Sequence, residues 1–337
     1  MDKVEKKTKN YLFESVSQKI FKGVSLLFSL FLSFLARAIG AKRFVQLFGW
    51  LGWQLARFFP REMEIVRLQS AVAAQTVTDP VSKRKLNSAE LGNDNFKHVA
   101  ESFSELFCFD SLLSNNGVDA SELTKISSQC PGGIKSIGLS AHLGNFELLG
   151  AACIAHGIPL SVIGRMQNNN LLKEFIEKQR ARYGVKSLWR EKQESSSALL
   201  RTIRRGDPLA VLIDHDTQVE GLFTDFFGIK SYCPIGPIQL ALRYNLKIFT
   251  VFIVRKALLQ HKILVEEIPY TDATTPQEIL DIYGSQLEKL VREYPEQWIW
   301  WHKKWRRRPE IDYKQNPTEL RGTKDYIKWL ETLKSNR

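Results

Sequence analysis

From about residue 134 onward, short β-rich runs alternate with helical ones, and this alternation restricts the fold more than any other feature of the chain. Residues 134–140, 160–163, 208–213, 247–255 and 261–268 read as strands, although Ile263, Leu264 and Val265 run consecutively and blur the last one. Residues 145–156, 171–183, 195–205 and 237–244 read as helices, and 277–294 as a long amphipathic helix. Glycines at 157, 184 and 206 close three of them. Such an order predicts an α/β domain with a mixed, mostly parallel sheet flanked by helices. Upstream, 76–94 is a polar loop with a helix start, 96–113 an amphipathic helix, and 115–133 a loop with a short helix around Glu122.

The N-terminal part follows different rules. After a charged start, the run from Gly23 to Ala36 carries no charge and is apolar on every helical face, so it must be buried in protein or lipid. It is shorter than the roughly 20 residues that span a bilayer, but Lys22 and Arg37 can snorkel and lengthen it. A second apolar stretch, 44–56, holds Trp50 and Trp53, residues suited to a membrane interface. A core helix and a cleaved signal peptide are the other two readings of the first run. The basic, again apolar sequence after it argues against cleavage. The expected organisation is therefore an apolar helical membrane anchor over 1–60, an α/β domain over 61–310, and a polar C-terminal tail over 311–337.

The formal net charge is +12, which suggests an anionic partner: nucleic acid, acidic headgroups or a phosphorylated substrate. The four cysteines, Cys108, Cys130, Cys153 and Cys233, form no C-x-x-C pair and no zinc-type cluster with histidine. Reduced thiols are the expectation, with neither a metal nor a cofactor.

The chemistry concentrates in HLGNFE. The run IKSIGLS leads into it, so His142 falls just past a strand end and Glu147 in the first turn of the next helix. Reacting groups in α/β sheets collect at carboxyl ends of strands. Gly144 permits a tight turn, Asn145 is a natural N-cap, and the bend can fold Glu147 back onto the imidazole. A histidine oriented by a carboxylate is a general base. No G-x-S-x-G nucleophile elbow accompanies it, so the base would act on a hydroxyl brought by the acceptor.

Other residues have both a functional and a structural reading. Arg165 follows a strand and could hold a phosphate or an oxyanion, or simply be ion-paired. Asp214, at the end of PLAVLID, could serve the site or cap a turn. Phe223, Phe226 and Phe227 could line an acyl groove or be plain core. Near the C-terminus, Trp298, Trp300, Trp301 and Trp305 interleave with basic residues. That pattern suits a lipid–water interface and would also suit single-stranded nucleic acid, but no nucleic-acid-binding motif accompanies it.

HLGNFE matches the H-x-x-x-x-[DE] motif of glycerolipid acyltransferases. The stretch from about residue 134 to 309 resembles the lipid A biosynthesis acyltransferases, the late lauroyl/myristoyl transferases of Gram-negative envelopes. The motifs that carry the resemblance are, in order, HLGNFE, GRMQNN with Arg165, LIDHD with Asp214 and Asp216, FTDFFG, and PEQWIWWHKKWRRRP. The resemblance implies a glycerolipid-acyltransferase-like fold. It implies acyl transfer from an acyl carrier protein thioester to a hydroxyl of an acylated, phosphorylated glucosamine disaccharide at the cytoplasmic face of the inner membrane. His142 would deprotonate the hydroxyl and Glu147 would hold His142. Arg165, Asp214, Asp216, Phe226 and Phe227 would contact substrate. The chain departs from the family at Asp214-His215-Asp216, where Asp-Gln-Asp is frequent, and at Cys233-Pro234, where threonine is usual. Acylation of another glycolipid or a lysophospholipid is the enzymatic alternative; a non-catalytic lipid- or nucleic-acid-binding protein is the other.

Overall fold

A computed structural model describes residues 29–129, 135–164, 170–190, 195–217, 219–311 and 322–335. The domain is built on a seven-stranded sheet, in the order β1-β9-β8-β2-β5-β3-β4. The strands are β1 (Val118–Asp119), β2 (Ser136–Ser140), β3 (Ser161–Gly164), β4 (Lys186–Trp189), β5 (Leu209–Leu212), β8 (Lys247–Ala257) and β9 (Gln260–Ile268). All neighbours pair in parallel except β8 and β9, which form an antiparallel hairpin. This is the mixed, mostly parallel sheet expected from the alternation. A separate two-stranded ribbon joins β6 (Gly221–Phe226) to β7 (Ile229–Pro234).

Strand alternation divides the interior into two layers. On one face, Ile137, Leu139, Leu209, Ile248, Phe252 and Val254 join a core with the helices Gly236–Tyr244 and Pro276–Glu293. On the other, Ala210, Val251, Ile253 and Ile263 pack with the helix Phe146–Ala155. The caps are local and readable. Thr275 and Glu278 close a capping box on a helix with Pro276 at its start, and Asp79 accepts from Ser82 N before Pro80–Leu86.

Some expectations change. The helix expected over 96–113 is two helices, Leu91–Glu105 and Phe109–Ser114. Between them Leu106, Phe107 and Cys108 donate to the carbonyls three residues back (3.2, 3.1 and 2.8 Å), which tightens the chain and turns it. The FTDFFG segment is a hairpin whose turn residues, Phe227 and Gly228, both have positive φ (54° and 65°). The helix Thr323–Ser335 lies inside the segment read as a polar tail. It buries Tyr326 and Leu330, and the Tyr326 hydroxyl donates to Gln69 Oε1 (2.7 Å) on the helix Pro60–Thr76.

The run from Gly23 to Ala36 lies partly outside the described residues. A helix covers 29–39 and a second follows at Ala41–Leu55, packed on Leu91–Glu105. Among the described residues no helix is long and apolar enough to cross a membrane. The tryptophan run is core rather than interface: Trp298, Trp300 and Trp305 are fully buried, and Lys304 is buried among them. Packing against Phe226 and Phe227 draws the rings inward.

Candidate active site

The register of the sheet builds the site. β2 and β5 are parallel neighbours that pair Ile137 with Leu209 and Ser140 with Leu212. Two residues beyond each strand stand His142 and Asp214, side by side at the carboxyl end of the sheet. His142 Nδ1 lies 2.9 Å from Asp214 Oδ1, and the His142 backbone N–H donates to Oδ2 at 3.0 Å. Trp298 Nε1 also donates to Oδ2 at 3.0 Å. Burial alone would raise the Asp214 carboxyl. Its neighbours His215 and His142, the hydrogen bond from His142 and the Lys304 ammonium instead hold it well below the usual carboxylate range. Lys304 Nζ donates to the Asp214 carbonyl at 2.7 Å.

An ionised Asp214 accepts only, so His142 Nδ1 carries the proton and Nε2 holds the lone pair. The imidazole is partly exposed and lines a cavity of about 1170 Å³. This is the arrangement of a general base with an orienting carboxylate.

The partner is not the one the motif spacing suggests. Glu147 accepts from Arg180 Nε at 2.8 Å and Arg180 Nη2 at 2.7 Å, a bidentate pair on the cavity wall. Glu147 and His142 are close in sequence, but the helix starting at Phe146 carries the carboxylate toward the helix Asn170–Arg182. Asp214, expected to contact substrate, is the carboxylate bonded to His142. Asp216 lines the cavity and pairs with Arg306 Nε (2.8 Å) and Arg307 Nε (3.0 Å). Phe226 and Phe227 are buried in the tryptophan core, away from the cavity wall. Arg165 lies outside the described residues, as does Cys130. Cys108 and Cys153 are buried thiols pushed up to about 11 and about 12, unsuited to nucleophilic work.

The loop that carries His142 is clamped from several sides. Asn145 caps its helix by accepting from Leu148 N (3.1 Å), and its Nδ2 donates to Glu105 Oε2 (2.8 Å). Gly144, at φ 63°, donates to the Gln297 carbonyl (2.9 Å), and a Cβ there would stand 1.9 Å from the Ile253 carbonyl oxygen. Ile299 N donates to the His142 carbonyl (3.2 Å). Behind the loop, buried Arg255 donates to Glu101 Oε2 (2.8 Å) and Glu105 Oε2 (3.0 Å), and its Nη1 lies 2.7 Å from His98 Nδ1. Burial would raise Glu105, but Arg255 and His261 pull it down to about 2.

The sequence reading missed His215 and His302. The His215 ring stacks on His142 (centroids 4.0 Å, interplanar 9°) and on His302 (3.6 Å, 27°). Burial holds His215 well below its ordinary range; His302 is exposed at its outer side, but desolvation of its ring against His215 and the nearby His142 push it down to about 4. Their positions, one beside Asp214 and one inside the tryptophan run, were legible signals; their convergence was not. His142, Asp214 and His215 offer ligand atoms within 4.8 Å of one another. Nearly parallel stacked rings, however, aim their in-plane lone pairs along lines that do not meet at one ion, so the cluster fits a base better than a metal centre.

A family model described as bacterial lipid A biosynthesis acyltransferase matches residues 95–307. The chain belongs to this family. The match takes in β1 to β9, the His142 loop, Asp214 and the tryptophan run. In this member of the family a histidine–aspartate pair stands at the ends of two parallel strands. A search of curated proteins found no match.

Proposed function

We propose that the protein moves a fatty acyl chain from an acyl carrier protein thioester to a hydroxyl of a phosphorylated lipid A precursor, with His142 as general base and Asp214 as its orienting partner. The observation that carries this reading is His142, fixed by Asp214 at Nδ1 and opening onto a large cavity. Nε2 takes the proton of the acceptor hydroxyl while its oxygen bonds to the thioester carbonyl carbon. The tetrahedral intermediate then breaks its C–S bond, and the departing thiolate takes the proton from His142.

The cavity suits both ends of such substrates. One part runs along the sheet past Ser140, Gly138, Ala210 and Val162, where small residues leave room for a hydrocarbon chain. Lys173, Arg190 and the carboxylate-paired Arg180 and Arg306 also line the cavity, cations suited to phosphate groups of the acceptor or the donor's pantetheine arm. Arg165 joins them in this proposal on its sequence position alone.

Membrane contact follows from the N-terminal helices. Leu30, Phe31, Phe34, Leu47, Trp50, Leu51, Leu55, Phe58 and Phe59 are exposed, and exposed Arg37, Lys42, Arg43, Arg57 and Arg61 accompany them. An apolar surface with basic neighbours supports insertion into one anionic leaflet, at the cytoplasmic face of the inner membrane where a carrier protein donor is at hand. Burial of Trp298, Trp300 and Trp305 removes the stacking platform on which a nucleic-acid reading relied.

The test is acyl transfer from an acyl carrier protein thioester to a phosphorylated lipid A precursor, with the product identified by mass spectrometry. His142→Ala is expected to lose about 10²- to 10⁴-fold in turnover. Near-normal turnover by folded His142→Ala would overturn the mechanism, and transfer only to a lysophospholipid would move the enzyme to the alternative acceptor.

A further inference from the structure

His142 is held at one point by Asp214, but a single hydrogen bond leaves the ring plane free to tilt. Two rings close that freedom. The face of His215 lies 4.0 Å from the His142 face at an interplanar angle of 9°, and the edge-on Phe146 ring stands on it at 5.2 Å and 74°. His215 also meets the His302 ring at 3.6 Å, and His302 lies 5.8 Å from His142, so the three imidazoles form one bent cluster with His215 at its corner. His215 Nε2 is buried and, among the described residues, has no hydrogen-bond partner, although it lies 3.3 Å from Asp214 Oδ2. A buried ring nitrogen left unpaired is costly. The site therefore uses the face of this ring rather than that nitrogen.

We propose that His215 is a positioning residue for the acyl transfer, whose neutral ring face fixes the plane of His142 and stabilises the imidazolium that forms when His142 takes the hydroxyl proton. The inference rests on His142 being the base. Electrostatics agree with it. Burial keeps His215 neutral, so its face offers electron density to a cation instead of repelling it. The other charged and titratable groups around His142 are Asp214, His302, Lys304 and Arg306, the Glu147–Arg180 pair, Asp216 and His98. Only His215 meets the base face to face at 9°. An interaction made with the imidazolium and absent from the neutral ring is stronger in the transition state than in the ground state, so it raises kcat and leaves KM alone.

The experiment compares His215→Gln, His215→Phe and His142→Ala in the carrier-protein acyl transfer assay, with melting temperatures for each. His215→Gln removes the ring, and kcat is expected to fall on the order of 5- to 30-fold at unchanged KM for donor and acceptor. The acidic limb of kcat/KM should then move to lower pH, because the protonated base has lost its stacking partner. His215→Phe keeps the face without the nitrogens and should stay within a few-fold of the parent, with the acidic limb restored. A purely structural His215 would lower the melting temperature without moving the pH profile, which would overturn the proposal. So would wild-type kinetics in His215→Gln, or equal losses in His215→Gln and His215→Phe, since the latter assigns the role to the nitrogens. Retained turnover in His142→Ala is a separate outcome: it removes the base itself, whatever the His215 variants do.

Discussion

Two buried carboxylates stand on opposite sides of the His142 loop, and their surroundings differ in one respect. Glu105 is enclosed by Arg255, His261 and the Asn145 amide, so all its acceptor capacity is used by the protein. Asp214 is equally buried, yet one of its donors is an imidazole whose other nitrogen is left for the cavity. The first network is centred on a guanidinium that cannot give up its proton, and its imidazoles, His98 and His261, are buried; the second ends in an imidazole that is open to the cavity and can gain and lose a proton. The same ingredients therefore make a closed clamp in one place and leave an imidazole nitrogen open to the cavity in the other.

That contrast is most sharply tested at Asp214. Asp214→Asn keeps the shape but frees the tautomer of His142, and turnover should fall about 10²- to 10⁴-fold with a smaller change in melting temperature. Turnover close to the parent would show that the carboxylate does not orient the base. Arg255→Met should behave in the opposite way. It leaves Glu101 and Glu105 buried without their cation, at a cost of about 3–5 kcal/mol read from denaturant unfolding. A stable Arg255→Met protein would mean that the clamp is dispensable.

Glu147 gives an intermediate case. If its task is to hold Arg180 on the cavity wall, Glu147→Gln should raise acceptor or donor KM by roughly 10- to 100-fold and leave the pH profile of turnover in place. A shifted profile would return Glu147 to the base.

The smallest expected effect is in acid. Glu105 titrates at about 2 in the folded protein, so its contribution is complete above the unfolded value of 4.5 and is lost as pH falls from there toward 2. His302, pushed down to about 4 from 6.5, acts earlier. Between these values the unfolded chain binds a proton that the native site refuses, so stability declines as pH drops through that window. Urea midpoints measured from about pH 7 to pH 3 should fall progressively, the lowered His98 and His215 adding to the upper part of the loss and Asp214 to the lower, with His302→Gln reducing only the upper part.

The strands and helices that carry the site were readable because their signals are local. Hydrophobic period separates β2, β3, β5 and β8 from the helices between them, and Asn145, Thr275 and the helix-ending glycines mark boundaries within one turn of chain. The placement of His142 at a strand end followed from the same signals. The hairpin at Phe227 was hidden because a phenylalanine occupies a left-handed turn position normally marked by glycine or asparagine. The Thr323–Ser335 helix was hidden because it is mostly polar and earns its place by two side chains, Tyr326 and Leu330.

Sequence by itself determined the fold class, the strand–turn–helix bearing His142, and the family to which the chain belongs. Tertiary structure alone decided which carboxylate meets His142. Glu147 is five residues away along the chain but turns aside on its helix to meet Arg180. Asp214 is 72 residues away, yet the parallel register of β2 and β5 brings it within 2.9 Å of the imidazole. Pairing between strands is a long-range choice, made by burial on both faces of the sheet, and no local spacing records it.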